Sequence, residues 1–319
     1  MTSGVVGKSG TIFRITPAGV LTVLYAPVHQ FFSYPPLFYK GRLIDTLIAA
    51  GKKINGVLFS LAGYPNGPWV VYVWHIFGST PSDGAGPSGS LILGRDGKLY
   101  GTTSGGGTAS LGTVYSVDPT THQVSVLASF TGPQPLGRPI DGLLQAKDDN
   151  FYGGTEGSIG SGPGAIFKVT SAGKIGMFHK FSNYVVPSGP LIQASDGNFY
   201  GTTSGGLAHD TVFRLTTAGV FTVLYSFSAT VYTAGVIEGP NHDLYGMTGF
   251  GGTANKGTIF KLAKDGSSFT VLHNFSDGSV PNDGEYPNGT LLVGTDNNLY
   301  GVTETGGSAG FGTVFRISP

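Results

Sequence analysis

Two glutamates stand at equivalent points of the chain and could act as a catalytic pair. Glu156 follows the run Phe-Tyr-Gly-Gly-Thr, and Glu304 follows the related run Leu-Tyr-Gly-Val-Thr. Other copies of this run are followed by Ser104, Ser204 or Gly249. Two carboxylates that face each other could serve as general acid and general base, or could hold a cation. Glu156 and Glu304 are therefore the candidate catalytic residues, although solvated loop carboxylates would give the same pattern.

Three acidic residues in one loop form a candidate metal site. Asp277, Asp283 and Glu285 lie within residues 276–289. Carboxylate oxygens are preferred ligands of Ca²⁺, so the predicted cofactor is a divalent cation such as calcium. The dipeptide Asp-Gly and the run Asn-Asp-Gly also form ordinary turns, and this alternative stays open.

Six aromatic residues fall in segments that we expect to be exposed loops. Aromatic side chains with few polar groups around them suit a sugar or another flat ligand. The candidate ligand-binding residues are Tyr34, Tyr184, Tyr232, Phe250, Tyr286 and Phe311.

The elements that must position these residues repeat along the chain. The unit 187–227 contains four short strands, here called A, B, C and D. Strands A and B are joined by an Asp196-Gly197 turn, B and C by a Gly-rich loop, and C and D by an Ala218-Gly219 turn. Asp-Gly tolerates the positive φ that tight hairpins need. Each unit is therefore predicted to be an antiparallel meander.

Residues that recur in the units are expected to build the framework. The phenylalanine that ends strand D is expected to pack between units. Asp residues lie in or beside the A–B turns, where Asp bonds its own backbone. The tyrosines that share one place in strand B are expected to bond neighbouring backbone. These sets are Asp96, Asp148, Asp196, Asp243 and Asp296, and Tyr100, Tyr152, Tyr200, Tyr245 and Tyr300.

The number of units predicts the fold class. Strands A, B and D each occur six times and strand C seven times. A period of about 50 residues predicts an all-β protein, a six-bladed β-propeller of four-stranded antiparallel blades. Pairing of the N- and C-terminal segments would close it, and seven blades or an open array are alternatives. Residues 1–319 then form a single domain, with units of about 1–25 with 286–319, 26–80, 81–130, 131–181, 182–227 and 228–285.

The repeated motif resembles a known family. The pattern Asp-Gly-Asn-Phe-Tyr-Gly-Thr-Thr-Ser-Gly-Gly at 196–206, followed by Thr-Val-Phe-Arg-Leu at 211–215, is similar to the GloVer tandem repeat. This resemblance implies a bacterial protein that is secreted or attached to the cell surface, in a family without a firm activity. The strand order more loosely resembles NHL-repeat propellers, which implies that strand A lines the central channel.

The composition excludes several classes of function. The 18 basic and 18 acidic residues cancel and form no basic stripe, which argues against a nucleic-acid partner. No apolar run has the roughly 18 residues of a membrane helix. The Gly-rich runs after strand B lead into strands, whereas a phosphate-binding loop leads into a helix. Only 11% of the residues are charged, and 54 are Gly, which predicts an extracellular or cell-surface location with a leader absent from this chain.

The loop lengths indicate where a ligand would bind. The B–C and D–A connections are long and variable and emerge on one face of such a meander. We expect a propeller that binds a glycan or a peptide on that face. One alternative is a hydrolase or lyase that uses Glu156 and Glu304. Another is a self-assembling structural protein in which the surplus strand C (10–15 or 312–317) pairs with a neighbouring molecule. The surplus strand could equally fold back on its own blade, which would leave the protein a monomer.

Overall fold

A computed structural model of the chain describes residues 12–15, 21–25, 35–47, 55–63, 69–132, 136–157, 162–182, 184–205 and 209–319. These residues form strands joined by turns and loops, with no helix in the described ranges. The chain divides into two compact units. The first comprises residues 1–133, 137–143 and 169–175, and the second comprises residues 134–136, 144–168 and 176–319.

The first unit contains a two-stranded hairpin and two four-stranded sheets. In both sheets each strand pairs with the next strand of the chain. The strands are β1 (Ile12–Ile15), β2 (Leu21–Tyr25), β3 (Leu37–Tyr39), β4 (Arg42–Leu47), β5 (Val57–Gly63), β6 (Trp69–Ile76), β7 (Gly84–Leu93), β8 (Leu99–Gly106), β9 (Thr113–Val117) and β10 (Val124–Ser129).

The second unit holds the later strands, apart from the turn at 169–175, in three four-stranded sheets and one three-stranded sheet. The strands are β11 (Leu144–Gln145), β12 (Phe151–Thr155), β13 (Ala165–Val169), β14 (Ile175–Lys180), β15 (Val186–Gln193), β16 (Phe199–Ser204), β17 (Thr211–Leu215), β18 (Phe221–Ser226), β19 (Thr233–Glu238), β20 (Leu244–Thr248), β21 (Thr258–Leu262), β22 (Phe269–Asn274), β23 (Gly284–Val293), β24 (Leu299–Gly306) and β25 (Val314–Ile317).

This repeated meander confirms the predicted fold class, a six-bladed β-propeller of four-stranded antiparallel blades. The pairing of the N- and C-terminal segments would join the two units and stays a prediction. The surplus strand C also stays a prediction. Its N-terminal candidate includes residues 10 and 11, which lie outside the described residues, and its C-terminal candidate contains β25, which pairs with β24.

The A–B turns share one hydrogen-bonded clasp. Asp96 Oδ1 accepts the backbone N–H of Lys98 at 3.1 Å, and its Oδ2 accepts the hydroxyl of Tyr100 at 2.7 Å. The prediction of turn chemistry is confirmed, whereas the prediction that the tyrosines bond backbone is wrong, because their hydroxyls donate to a carboxylate. The same two bonds recur at Asp148–Tyr152, Asp196–Tyr200 and Asp296–Tyr300.

One A–B turn departs from the predicted aspartate set. In the turn before β20, Tyr245 donates to Asn241 Oδ1 at 3.0 Å. Asp243, which the sequence pattern placed in the set, forms an ion pair with Lys261 at 3.2 Å. The position that holds the tyrosine is therefore the one four residues before it, which Asn can fill because its side-chain oxygen also accepts hydrogen bonds.

Aromatic rings of strand C pack directly against glycines of strand B. A Cβ at Gly101 would lie 2.5 Å from Tyr115 Oη, and one at Gly201 would lie 2.8 Å from the Phe213 ring. The phenylalanines that end strand D are buried, and four of them pack in clusters that combine one sheet with the next, as predicted. These four are Phe77, Phe181, Phe227 and Phe275.

The sheet β3–β6 replaces the strand-B glycine with an aspartate. Asp45 pairs with Phe59 in the same register in which Gly101 pairs with Tyr115. The Asp45 side chain is buried, and its Oδ1 accepts the backbone N–H of Thr46 at 2.7 Å. Burial raises the pKa of Asp45 to about 8, against the lowering effect of that hydrogen bond. The core of this sheet therefore favours the neutral acid.

Candidate functional site

A partly buried aspartate fixes the loop between β22 and β23. Asp283 Oδ2 lies 2.9 Å from His273 Nε2 and accepts the backbone N–H of Ser276 at 2.8 Å. Its Oδ1 accepts the backbone N–H of Gly284 at 2.8 Å. Because His273 belongs to β22 and Gly284 begins β23, the carboxylate ties the two ends of the loop together. The residues that follow Asp283 are therefore held in a defined place.

The start of β23 directs two side chains towards one lysine. Lys256 Nζ lies 3.1 Å from Glu285 Oε2 and donates to Tyr286 Oη at 2.7 Å. The same ammonium lies 4.5 Å from the centroid of the Tyr286 ring. The hydrogen bond from Lys256 lowers the pKa of Glu285, because the positive charge stabilises the carboxylate. The Tyr286 side chain is thus held by the hydrogen bond between its hydroxyl and Lys256.

Three aromatic rings then form a continuous surface, here called the aromatic wall: Tyr232, Phe250 and Tyr286. The Phe250 centroid lies 5.5 Å from that of Tyr232 and 5.4 Å from that of Tyr286, with interplanar angles of 61° in both pairs. Edge-to-face pairs at this distance are favourable. Tyr232 and Phe250 remain 62% and 39% exposed, so the wall presents apolar surface to solvent.

The backbone beneath the aromatic wall is held by a buried carboxylate. Asp210 Oδ2 accepts the backbone N–H groups of Val231 and Tyr232 at 2.9 and 2.7 Å. The Val231 carbonyl accepts the N–H of Phe250 at 3.0 Å. Tyr232 and Phe250, which belong to two different loops, are therefore fixed relative to each other by hydrogen bonds.

The aromatic wall lines a cleft of about 620 Å³. This is within the range of about 300–1,000 Å³ that small ligands occupy. The cleft is also lined by Asn288, Glu304 and Thr305. Asn288 Nδ2 donates to Glu304 Oε1 at 2.6 Å, which orients the carboxylate with a neutral partner. The lining so described contains the carboxylate of Glu304 and no Lys, Arg or His.

The cleft unites some of the sequence-predicted residues and leaves others apart. Tyr232, Phe250, Tyr286 and Glu304 all belong to its lining. The lining does not include Glu156, Tyr184 or Phe311, although Tyr184 and Phe311 are exposed aromatics at 55% and 69%. Tyr34 lies outside the described residues. The structure thus places Glu304 in the cleft without Glu156, and the predicted catalytic pair is not gathered there.

The three candidate metal ligands are occupied by protein donors. Asp277 Oδ1 accepts the backbone N–H of Ser279 at 2.9 Å, in a turn of its own. Asp283 is bonded to His273 and to two N–H groups, and Glu285 is paired with Lys256. Within the described ranges, no group of three or more His, Cys, Asp or Glu residues could hold a metal ion. The described residues therefore contain no cluster of metal ligands at the predicted calcium site.

Sequence reasoning missed three residues that build the site: Asp210, Lys256 and Asn288. Asp210 had a signal, since it stands where other units have a glycine, such as Gly112 or Gly257, before strand C. Lys256 and Asn288 had no signal of their own, because each matters only through a contact with a residue distant in the chain, Glu285 or Glu304.

The fold and the cleft define a β-propeller whose second unit contains a cleft lined by aromatic residues and by Glu304. The model of the Gloeobacter/Verrucomicrobia repeat matches residues 36–236 and 211–319, so the chain belongs to this family. The predicted resemblance to the GloVer repeat is confirmed. Among curated protein sequences, none matches this chain. Within the described part of the chain, no helix has the length and apolar character to cross a membrane.

Solved structures of similar fold include several enzymes. A catalytically inactive virginiamycin B lyase from Staphylococcus aureus with quinupristin is 16% identical over 96% of this chain and 88% of that chain, with a TM-score of 0.63. Oligogalacturonate lyase in complex with manganese is 11% identical over 97% and 84%, with a TM-score of 0.59. A puromycin hydrolase mutant is 12% identical over 97% of this chain and 48% of that one, with a TM-score of 0.63. At these identities the likeness concerns the fold.

Proposed function

We propose that this protein is a glycan-binding β-propeller that acts outside the cell or at its surface, and that the cleft at the aromatic wall is its ligand site. The observation that carries the proposal is the convergence on one cleft of Tyr232 and Phe250, from two loops, and of Tyr286, from the start of β23. The rings offer flat apolar surface, and Asn288, Glu304 and Thr305 offer side-chain hydrogen-bonding groups beside it. This combination suits the apolar face and the hydroxyl groups of a sugar ring.

A glycan suits this cleft better than a peptide does. An extended peptide is usually bound through main-chain hydrogen bonds to a strand edge. The polar groups supplied to this cleft by Asn288, Glu304 and Thr305 include side-chain amide, carboxylate and hydroxyl groups, which match hydroxyl partners. A hydrolase or lyase that uses Glu156 and Glu304 is less favoured, because Glu304 lines the cleft and Glu156 does not.

A glycan array followed by calorimetry tests this proposal with a matched pair of variants. Tyr232 and Tyr184 are both exposed, at 62% and 55%, and both have positive φ, at 53° and 66°. Only Tyr232 lines the cleft. Tyr232→Ala should weaken binding of an array-identified oligosaccharide about fivefold or more, since a stacked ring contributes roughly 1 kcal/mol or more. Tyr184→Ala should bind like the wild type.

The outcomes separate the candidate ligands. Binding of no glycan by the folded protein would remove the proposal. Equal losses in Tyr232→Ala and Tyr184→Ala would show that the ligand site lies elsewhere. A peptide panel that gives binding where the array gives none would replace the glycan with a peptide. Fractionation of the source cells, with the protein found in the cytoplasm, would remove the extracellular location.

A further inference from the structure

We infer that the cleft selects glycans that carry N-acetyl groups, and that it holds the acetyl methyl against an apolar part of its lining. This inference rests on the proposed function and names the class of sugar. The apolar part, here called the apolar floor, consists of Ala234, Met247 and Pro287. Met247 and Pro287 are buried and Ala234 is partly buried, so a ligand group that reaches them loses its contact with water.

Two other sheets carry a serine and a threonine at the positions of Ala234 and Met247. In the sheet β7–β10, the Thr102 hydroxyl donates to the Ser88 carbonyl at 2.6 Å, and the two hydroxyl oxygens lie 3.1 Å apart. The sheet with the cleft has therefore exchanged two hydroxyl groups for two apolar side chains. The equivalent polar pair in the sheet β15–β18 is Ser188 and Thr202. The register pairs that fix this correspondence are Thr233 with Thr248, Pro87 with Thr103 and Pro187 with Thr203.

The apolar floor discriminates between the groups that a sugar can turn towards it. Ala234, Met247 and Pro287 offer a hydroxyl no strong side-chain hydrogen-bonding partner. Burial of a hydroxyl without a partner is unfavourable, whereas burial of a methyl group is favourable. A sugar that turns a methyl group to the floor is therefore bound more tightly than one that turns a hydroxyl there.

Asn288 can recognise the amide that carries the acetyl methyl. Its Nδ2 has two hydrogens, and the hydrogen bond to Glu304 uses one of them. Its Oδ1 accepts the backbone N–H of Gly289 at 2.7 Å, which fixes the orientation of the side chain. The second Nδ2 hydrogen can be donated to the carbonyl of an acetamido group. A 6-deoxy sugar also has a methyl group but lacks this carbonyl, so the lining favours the N-acetyl sugar.

The aromatic wall and the apolar floor suit different parts of such a sugar. Tyr232 and Phe250 are 62% and 39% exposed, and their rings match the broad apolar face of a pyranose. Met247 is 3% exposed, which suits a small group that points inward from the edge of the ring. The cleft thus combines a surface for the sugar ring with a separate surface for its substituent.

Calorimetry with three tetrasaccharides of one linkage tests the inference. The probes are the β-1,4-linked tetramers of N-acetylglucosamine, glucosamine and glucose, which carry an acetamido, an amino and a hydroxyl group at the same carbon. The wild type should bind the N-acetylglucosamine tetramer at least tenfold more tightly than either of the others, because one methyl group in an apolar pocket changes affinity by about tenfold or more.

Variants at the apolar floor locate the preference. Ala234→Ser combined with Met247→Thr supplies the pair that the other two sheets contain. It should reduce the preference to less than threefold and leave the affinity for the glucose tetramer within threefold of the wild type. Met247→Leu keeps an apolar side chain of similar volume and should keep the preference. Thermal unfolding checks that each variant is folded, and Ala234→Ser alone should lower the preference at least threefold if the double variant does not fold.

The possible failures are distinguishable. Equal or absent binding of the three probes, where other glycans on the array bind, would overturn the inference and leave the proposed function intact. A preference that survives in the folded double variant, or that Met247→Leu also loses, would overturn the role of the apolar floor. Tighter binding of 6-deoxy sugars on the array would overturn the choice of an acetamido group. Failure of every glycan on the array would remove the proposed function and this inference together.

Discussion

Two loops of the molecule share one hydrogen-bonded frame and differ in the side chains mounted on it. In the loop before β7, Asp83 contacts His75 Nε2 at 3.0 Å and accepts the N–H groups of Ser79 and Gly84 at 3.2 and 2.8 Å. These contacts match those of Asp283 in the loop before β23. In the strand that follows each loop, the first proline pairs with a threonine of the neighbouring strand. The pairs are Pro87 with Thr103 and Pro287 with Thr303.

The side chains on the two frames differ at four corresponding positions. At these positions β7 and β8 carry small residues, and β23 and β24 carry residues that line the cleft or hold its aromatic wall. Gly86 and Tyr286 have similar φ values, 64° and 56°. The repeat therefore keeps the residues that shape the backbone and varies the residues at the cleft. The pairs are Ala85 and Glu285, Gly86 and Tyr286, Ser88 and Asn288, and Ser104 and Glu304.

The largest expected effect on the free energy of unfolding comes from Asp45, a core position at which this sheet departs from the repeat. Asp45 has a pKa of about 8 in the folded protein and 3.8 when unperturbed, so folding favours its protonated form. Its stability contribution is fully present below pH 4 and is lost as the pH rises through 8. From pH 5 to pH 8, the free energy of unfolding of Asp45→Asn should gain about 2–4 kcal/mol relative to the wild type.

Denaturant unfolding of both proteins at a series of pH values measures this difference. The Asn side chain does not titrate, so any constant cost of the substitution shifts the whole curve and does not affect the pH dependence. Parallel curves for the two proteins would show that Asp45 is ionised or solvated in the folded state. Asp45 would then not lower the free energy of unfolding as the pH rises.

The second expected effect tests whether the two frames are equivalent. Asp283→Ala and Asp83→Ala each remove a carboxylate, partly buried in Asp283 and buried in Asp83, that holds a histidine and two backbone N–H groups. Each should lower the free energy of unfolding by about 2–4 kcal/mol, because hydrogen bonds to charged groups are strong and the donors lose their partner. Thermal unfolding measures both losses. Only Asp283→Ala should also weaken glycan binding.

Two results for these variants would contradict the equivalence of the two frames. A loss in one variant and none in the other would show that the frames are not equivalent in energy, despite their matching hydrogen bonds. Weaker glycan binding in Asp83→Ala at a temperature where the protein is folded would show that the loop before β7 also contributes to ligand recognition. Either result would show that the matching hydrogen bonds of Asp83 and Asp283 do not predict the effect of these residues on stability or binding.

The framework was predictable from the sequence because it repeats. Asp-Gly turns and the Tyr-Gly-Thr strands occur unit after unit, so local rules gave the strands and the meander order. The sequence pattern also placed Tyr232 and Phe250 in connecting loops, where the structure has them, whereas Tyr286 lies at the start of β23. The pairing of Asp83 with His75 was not predictable, because it depends on how a loop folds back on a strand.

The limits of prediction are clearest for the two glutamates. Glu156 and Glu304 occupy the same repeat position, and the sequence pattern treats them alike. Of the two, Glu304 lines the cleft, and Asn288 of β23 donates a hydrogen bond of 2.6 Å to its carboxylate. Such differences arise from contacts between loops of different length and composition, for which a single sequence without relatives contains no rule.

The most direct test gives β23 and β24 the residues of their counterparts in β7 and β8. The variant combines Glu285→Ala, Tyr286→Gly, Asn288→Ser and Glu304→Ser, and calorimetry measures its binding of the oligosaccharide that the array identifies for the wild type. The frame residue Asp283 is kept, and Gly suits the positive φ at 286, so the melting temperature should change by less than about 4 °C. Binding of this oligosaccharide should be lost. A folded variant that binds it as the wild type does would contradict the proposed ligand site.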